Sequence, residues 1–432
     1  MEKNTEIVIF WFRRDLRLMD NTGLIQALHS GYPVIPLFIF DEDILNELPK
    51  NDARVSFIYQ SLINIHLQLK KYQSSLVIKR GHVATVFDEL IAKYRIKKVF
   101  YNNDYEPYAL DRDQKITTQL AQHNIQVQGF KDQVLFEKDE LLKDNGTPYT
   151  VYTPYNNKWL KALIPERHAV KPLAQQPTKN FLAFETLAPS LESLGFIKSK
   201  LTVRPPQLND LNEYELHRDF PAQRGTSYVS PHLRFGTISI RAVVSLAINT
   251  NSTYLNELIW REFFMQILAH YPHVVTRNFK PAYDGIIWRD APEDFERWCS
   301  GTTGYPLVDA GMRQLNQTGY MHNRVRMVTA SFLCKHLLID WRLGEAYFAE
   351  KLLDYELSSN NGNWQWAAGT GCDAAPYFRI FNPTLQLNKF DKELSYVQQW
   401  IPEYKTNYIP PMVDHKFART RALETYKRGI KR

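Results

Sequence analysis

The chain has 432 residues, 44% of them apolar, which is more than one hydrophobic core usually holds, so two domains are expected rather than one. Its formal charge of +7 favours a polyanionic partner, because phosphates release counterions when basic side chains neutralise them. Three scattered cysteines, Cys299, Cys334 and Cys372, lack the spacing of a zinc site or a disulfide framework, and the six apolar residues before Arg13, behind Met1 to Glu6, are too few for a signal peptide or a membrane span. A soluble, cytoplasmic protein of a reducing compartment is expected.

The first third alternates short apolar runs with amphipathic stretches, the pattern of a parallel sheet wrapped by helices. Strands are predicted at Ile7 to Phe12, Val34 to Phe40, Leu76 to Lys79, Lys98 to Asn102 and Ile125 to Gly129, with helices at Val55 to Lys71 and Val83 to Tyr94 between them. Arg13-Arg14-Asp15-Leu16-Arg17 follows the first strand where a Rossmann fold would carry its glycine fingerprint, so a dinucleotide site of that kind is not supported at this turn. From about 131 to 200 periodicity breaks down among scattered prolines, which reads as a long connector over the surface. Beyond 210 helical patterns recur at 237–248, 253–270, 292–299, 307–316, 320–337, 343–354 and 386–401. The fold class is therefore α/β plus all-α: a doubly wound domain over 1–130, a connector over 131–200 and a helical domain over 201–432.

Four segments mix residue types that could carry chemistry. In Gly225-Thr226-Ser227-Tyr228-Val229-Ser230-Pro231, Ser230 suits an N-cap and Pro231 the first helical position, which makes either a phosphate site or a plain cap. Glu257, Trp260, Arg261 and Phe264 fall at i, i+3, i+4 and i+7 of one helix face, which either lines a cavity or carries a local salt bridge beside ordinary packing. Asn323, Arg326 and Met327 share a face of the helix after Tyr320, with Arg324 directed elsewhere. The stretch from Asp354 to Gly371 is dense in polar residues and glycines around Trp364 and Trp366, which reads as a binding loop. The end of the chain, from Lys416 to Arg432, carries seven basic residues and one acid, either a solvated amphipathic helix or a basic contact surface.

Together with Trp11 to Asn21, Gly304 to Ala310 and Asp373 to Pro383, these segments resemble the photolyase/cryptochrome family over nearly the whole chain. The resemblance implies an N-terminal antenna domain and a C-terminal helical domain that holds FAD and faces UV-damaged DNA. Carried over position by position, it makes Tyr214, Thr226, Ser227, Tyr228, Val229, Ser230, Arg261, Arg326, Asp354, Glu356 and Asn360 the FAD contacts, with Asn360 facing the flavin N5 and Arg326 paired to Asp354. Glu257, Trp260, Asn323, Met327 and Trp366 then form the pocket for a flipped-out cyclobutane pyrimidine dimer, and Arg218 and Arg324 meet flanking phosphates. Trp364, Trp341 and Trp288 match the family's electron-carrying tryptophan chain.

Asn323 and Met327, where (6-4) enzymes carry a histidine pair, resemble class I dimer photolyases; the rival expectation is a cryptochrome photoreceptor acting through a protein partner. The second chromophore stays open: Glu106 resembles a methenyltetrahydrofolate contact, whereas Asp41 to Leu45 and Asp52 to Val55 look closer to relatives that bind an 8-hydroxydeazaflavin. No metal and no obligate protein partner are expected.

Overall fold

Residues 5–223 and 225–430 are described by a computed structural model; Met1 to Asn4 of the N-terminus, and Lys431 and Arg432 of the basic C-terminus, lie outside them. The described residues form two units. One takes the chain up to Glu137, Leu163–Pro206 and Tyr228–Leu246; the other takes Lys138–Ala162, Gln207–Ser227 and the chain from Ala247. The stretch 131–200 is thus divided between the units instead of standing apart. Its second part stays with the sheet because Phe181, Leu191, Leu194 and Phe196 are buried in the sheet's core and Leu182 N–H donates to the Val34 carbonyl.

In the first unit five parallel strands, β1 (Glu6–Phe12), β2 (Val34–Asp41), β3 (Val77–Gly81), β4 (Arg95–Asn102) and β5 (Gln126–Phe130), lie in the order β3-β2-β1-β4-β5. Each overlaps the strand predicted for it. Side chains alternate across β1: Val8, Phe10 and Phe12 enter one core, Ile7, Ile9 and Trp11 the other, as a strand covered on both faces requires. The covering helices include α1 (Thr22–Leu28), α2 (Ala53–Leu69), α3 (Val83–Lys93) and α4 (Pro107–Gln122).

The turn after β1 is a buried polar network. Arg17 Nη2 lies 2.6 Å from Asp132 Oδ2, Arg241 binds Asp20 and Asp132 at 2.9 and 2.7 Å, and Asn102 Nδ2 donates to Asn21 Oδ1 at 2.8 Å. The charged motif that replaces a glycine fingerprint therefore anchors the chain to itself, each buried charge having a partner.

The second unit is helical, built around α5 (Tyr152–Ala162), α6 (Ser252–His270), α7 (Pro306–Thr318), α8 (Asn323–Ser331), α9 (Trp341–Lys351), α10 (Leu357–Ala368) and α11 (His415–Ile430). Two of these depart from the sequence expectations. Helix α5 lies inside the supposed connector; its Pro154 sits in the first turn, where a missing N–H costs nothing. Buried Tyr155 and Trp159 fasten it to α6 through Glu262, with Trp159 Nε1 2.7 Å and Tyr155 Oη 3.3 Å from Glu262 Oε1.

Helix α10 replaces the predicted binding loop. Its polar residues turn inward: Asn361 Nδ2 and Gln365 Nε2 donate to the Val274 carbonyl at 3.0 and 2.9 Å, and Gln365 Oε1 accepts from Phe279 N–H at 2.8 Å. Gly369, in the left-handed region at φ 86°, ends the helix. Glycines allow the close crossings on either side. A Cβ on Gly362 would stand 2.1 Å from the Phe264 ring, and one on Gly344 of α9 would stand 2.2 Å from the Trp364 indole and 2.5 Å from Leu333.

Gly344→Ala should therefore overpack the α9–α10 crossing and cost about 1–3 kcal/mol. The check is thermal unfolding: an unchanged midpoint would mean that the two helices separate freely.

Candidate functional site

Helices α8, α9 and α10 and the turn at 352–356 surround a cavity with about 590 Å3 of empty space that opens to solvent. Asn323, Arg326, Met327, Asp354, Glu356, Asn360, Trp364 and Trp366 all line it, beside apolar Ala330, Phe348 and Leu352. Residues predicted for cofactor and for lesion thus share one cavity.

Its polar groups are fixed by pairs. Arg326 Nη2 lies 2.9 Å from Asp354 Oδ2 while Arg326 Nε donates to the Met321 carbonyl at 2.8 Å. Buried Glu356 pairs with Arg261 at 3.1 Å and accepts from Ser359 Oγ at 3.3 Å. Asn360 Nδ2 donates to the carbonyl and the carboxylate of Glu345 at 3.0 and 2.8 Å, which leaves its amide oxygen as an acceptor. A flat, mostly apolar ring system with hydrogen-bonding edges and a polar tail suits this mixture, so these residues fit the flavin and ribityl parts of FAD. Burial raises the Glu345 carboxyl pKa while the Asn360 amide lowers it. Glu345 had no sequence signal, because it meets Asn360 only through the packing of α9 on α10.

His322 caps α8, its Nδ1 accepting from the Arg324 N–H at 3.2 Å. Burial pushes its pKa down to about 4, so the ring stays neutral, as an accepting nitrogen requires.

The α6 face is filled rather than open. Trp260 lies face to face with Tyr152 at 3.6 Å between centroids and 4° between planes, and Phe264 flanks it at 5.5 Å. Glu257 pairs with Arg218 at 2.7 Å, and Arg261 reaches Glu356, so the two charged positions of this face are ion pairs. Arg218 also lies over the Tyr214 ring at 5.2 Å, and burial with nearby Glu257 raises the Tyr214 hydroxyl pKa. Arg324 pairs with Asp219 at 2.7 Å and covers the Phe390 ring at 4.4 Å. Tyr152 had gone unmarked in the sequence, because α5 was hidden.

The segment Thr226 to Ser230 is divided between the units after Ser227. In the helical unit Ser227 Oγ accepts from Tyr254 Oη at 2.9 Å. In the sheet unit Tyr228 holds φ 51° and Val229 is already in the right-handed helical region, so Ser230 begins a five-residue helix and Val229, not Ser230, is its cap. Glu106, also in the sheet unit, accepts from Arg14 Nη1 at 2.9 Å and lies 3.1 Å from Arg234 Nη1.

Of the three chain tryptophans, Trp364 lines the cavity and is buried, Trp341 is fully buried with Nε1 on Asn278 Oδ1 at 2.9 Å, and Trp288 is half-buried with its ring edge-on to Tyr426 at 5.9 Å. Their ring neighbours are other residues, Trp364 touching Phe348 at 4.9 Å and Trp298 at 6.0 Å. Among the described residues no cluster of His, Cys, Asp and Glu could hold a metal, and no helix is long and apolar enough to cross a membrane. All three cysteines are free.

Residues 8–177 match the family model for DNA photolyase, and 254–406 match that for the FAD binding domain of DNA photolyase. The chain is 37% identical to the deoxyribodipyrimidine photo-lyase of Agrobacterium fabrum, over 99% of this chain and 98% of that one, and 36% identical to the Escherichia coli enzyme of that name, over 98% and 99%. Among solved structures it resembles a bacterial class III photolyase from Agrobacterium tumefaciens, with TM-score 0.89, 36% identity and coverage of 100% and 99%. An archaeal photolyase from Sulfolobus tokodaii, solved with two FAD molecules, gives TM-score 0.85 at 34% identity, covering 98% and 100%.

Glu345→Ala should take the carboxylate acceptor from the Asn360 amide, leaving it only the backbone carbonyl of residue 345, and lower the FAD retained on purification by about threefold to tenfold, the loss of one buried hydrogen bond. The ratio of flavin to protein absorbance reads this, and wild-type FAD content would rule out the fixing role.

Proposed function

Because the chain belongs to the photolyase/cryptochrome family, we propose that it repairs UV-damaged DNA by splitting cyclobutane pyrimidine dimers in a light-driven reaction. The observation that carries this reading is the single cavity lined at once by Asp354, Glu356 and Asn360 and by Asn323, Met327 and Trp366. A cofactor and a base extruded into that cavity would be neighbours, as short-range electron transfer needs.

Reduced FAD held there would supply, on excitation, the electron needed to open both ring bonds of the dimer and would accept it back, with no net redox change. The chain's own residues hold that exchange in place. The Asn360 amide oxygen would be the acceptor offered to the flavin, and the Arg326–Asp354 pair and Glu356, which line the same cavity, would hold its ribityl chain. Tyr214 and the segment Thr226 to Ser230 complete the cofactor contacts.

Asn323, Met327 and Trp366 receive the extruded bases, and Glu257 hydrogen-bonds the dimer. Arg218 and Arg324, held ready by Glu257 and Asp219, meet the flanking phosphates. Because Tyr152 covers one face of Trp260, that face of the indole is closed to the lesion. Trp364, Trp341 and Trp288 would carry electrons inward from the surface to an oxidised flavin and so return it to the reduced form.

The α/β domain serves as the antenna, with methenyltetrahydrofolate or an 8-hydroxydeazaflavin as second chromophore. Glu106 would reach either only by sharing a carboxylate already engaged by Arg14 and Arg234. The enzyme acts as a cytoplasmic monomer in this reading.

The test is a dimer-containing oligonucleotide bound in the dark by reduced holoenzyme and then illuminated, with restored thymines as the readout; dark binding or flavin photochemistry without restored thymines points to a photoreceptor instead. Glu257→Ala should lower repair yield more than dark affinity, and Trp260→Ala the reverse, by about fivefold to a hundredfold in affinity for one lost base contact. Equal effects on both quantities would refute that division. Trp288→Phe should slow photoreduction of oxidised flavin at least tenfold while pre-reduced enzyme repairs normally, which transient absorption and a repair assay separate.

A further inference from the structure

Tyr152, the first residue of α5, is the ring that covers Trp260. Three attachments hold it there. Its hydroxyl donates to the Asn256 carbonyl on α6 at 2.9 Å, its backbone N–H donates to Asp373 Oδ2 at 3.0 Å, and Phe263 meets its ring edge-on at 5.8 Å. Burial, and then the Glu257 carboxylate, raise the pKa of its hydroxyl, so the donor keeps its proton. Below it Tyr155 and Trp159 lock α5 to Glu262.

Phe264 at 5.5 Å and Phe263 edge-on at 5.6 Å are further ring neighbours of the half-buried Trp260 indole, whose one face is closed by Tyr152. A base that took the Tyr152 face would exchange one stack for another and leave the hydroxyl's hydrogen bond to Asn256 broken, so a fixed partner fits these contacts better than a placeholder.

We propose that Tyr152 is a positioning residue for damaged-DNA recognition, the permanent stacking partner that fixes the orientation of the Trp260 indole toward the lesion. This rests on the reading of Trp260 as a wall of the lesion pocket. Tyr152 belongs to the binding step: it orients one ring before DNA arrives and takes no part in electron transfer.

The experiment titrates dimer-containing and undamaged duplexes in the dark with FAD-loaded wild type, Tyr152→Ala, Tyr152→Leu, Tyr152→Phe and Trp260→Ala. Tyr152→Ala and Tyr152→Leu should lose about tenfold in affinity for the dimer, with affinity for undamaged duplex, FAD content and repair yield per bound dimer preserved. Tyr152→Phe, which keeps the ring face and loses only the hydroxyl contact, should rescue binding to within about twofold. Tyr152→Leu keeps side-chain volume and guards against an unfolded alanine variant. Wild-type affinity in Tyr152→Leu, with Trp260→Ala weakened, overturns the positioning role and leaves the pocket reading standing. Tighter dimer binding by either Tyr152 variant overturns it too, because the lesion would then displace Tyr152. Wild-type affinity in Trp260→Ala brings down the pocket reading and this inference with it.

Discussion

A helix with a polar buried face has to find partners for every group it hides, and α10 finds them in backbone that is not itself helical. Asn361 and Gln365 bind the Val274 carbonyl, and Gln365 also takes the Phe279 N–H, so one side of α10 is bonded to the segment between 274 and 279. On the far side Asn360 is bonded to Glu345 of α9. Such bonds are directional, unlike apolar packing, and they fix the rotation of the helix as well as its depth. A slip of one residue would turn every side chain by about 100° and strand several buried donors. The register of α10 therefore sets which residues meet the cavity: Asn360, Asn363, Trp364 and Trp366 face it because Asn361, Gly362 and Gln365 are committed elsewhere.

The same directionality explains what could and could not be seen in the sequence. The β-strands were legible because burial on both faces leaves continuous runs such as Ile7 to Phe12, and the longer amphipathic helices because their apolar positions recur. Helix α10 shows no recurring apolar stripe, since amides and a hydroxyl are buried beside Trp364, Ala367 and Ala368, and its composition reads as a loop. Helix α5 was lost among prolines, although Pro154 stands where helices accept one. The family's site residues were recognisable one by one from their motifs. Their partners Glu345 and Tyr152 were not, because each meets its target only through packing between helices distant in sequence.

Charge is arranged on the same plan. Arg218 and Arg324, proposed for DNA phosphates, are not loose cations: Glu257 and Asp219 hold them at 2.7 Å in partly exposed pairs. Pairs of that kind contribute about 0–1 kcal/mol, so exchanging or sharing the carboxylate with a phosphate costs little. What the acids provide is direction, since they aim two long side chains that would otherwise sample many rotamers. The fully buried pairs of the first unit, Arg241 with Asp20 and Asp132, are different in kind, because removing one partner there would leave a charge without water or counter-charge.

The two tryptophans proposed to face the lesion are held unequally, and the difference follows from their surroundings. Trp260 has Tyr152 stacked on one face and Phe264 at 5.5 Å, inside a helix pair fastened through Glu262. Trp366, two residues before the end of α10, has among the described residues Phe381 tilted at 6.4 Å as its ring neighbour and the Arg379 guanidinium at 6.0 Å. The first ring cannot give up a face without breaking structure, whereas the second touches no ring closely enough to be stacked already. A flipped dimer entering between them would accordingly meet a ring fixed by a stack on one side and a more loosely held ring on the other. That asymmetry would leave Trp366 the freer of the two to supply the stacking that offsets the loss of the dimer's neighbours in the duplex.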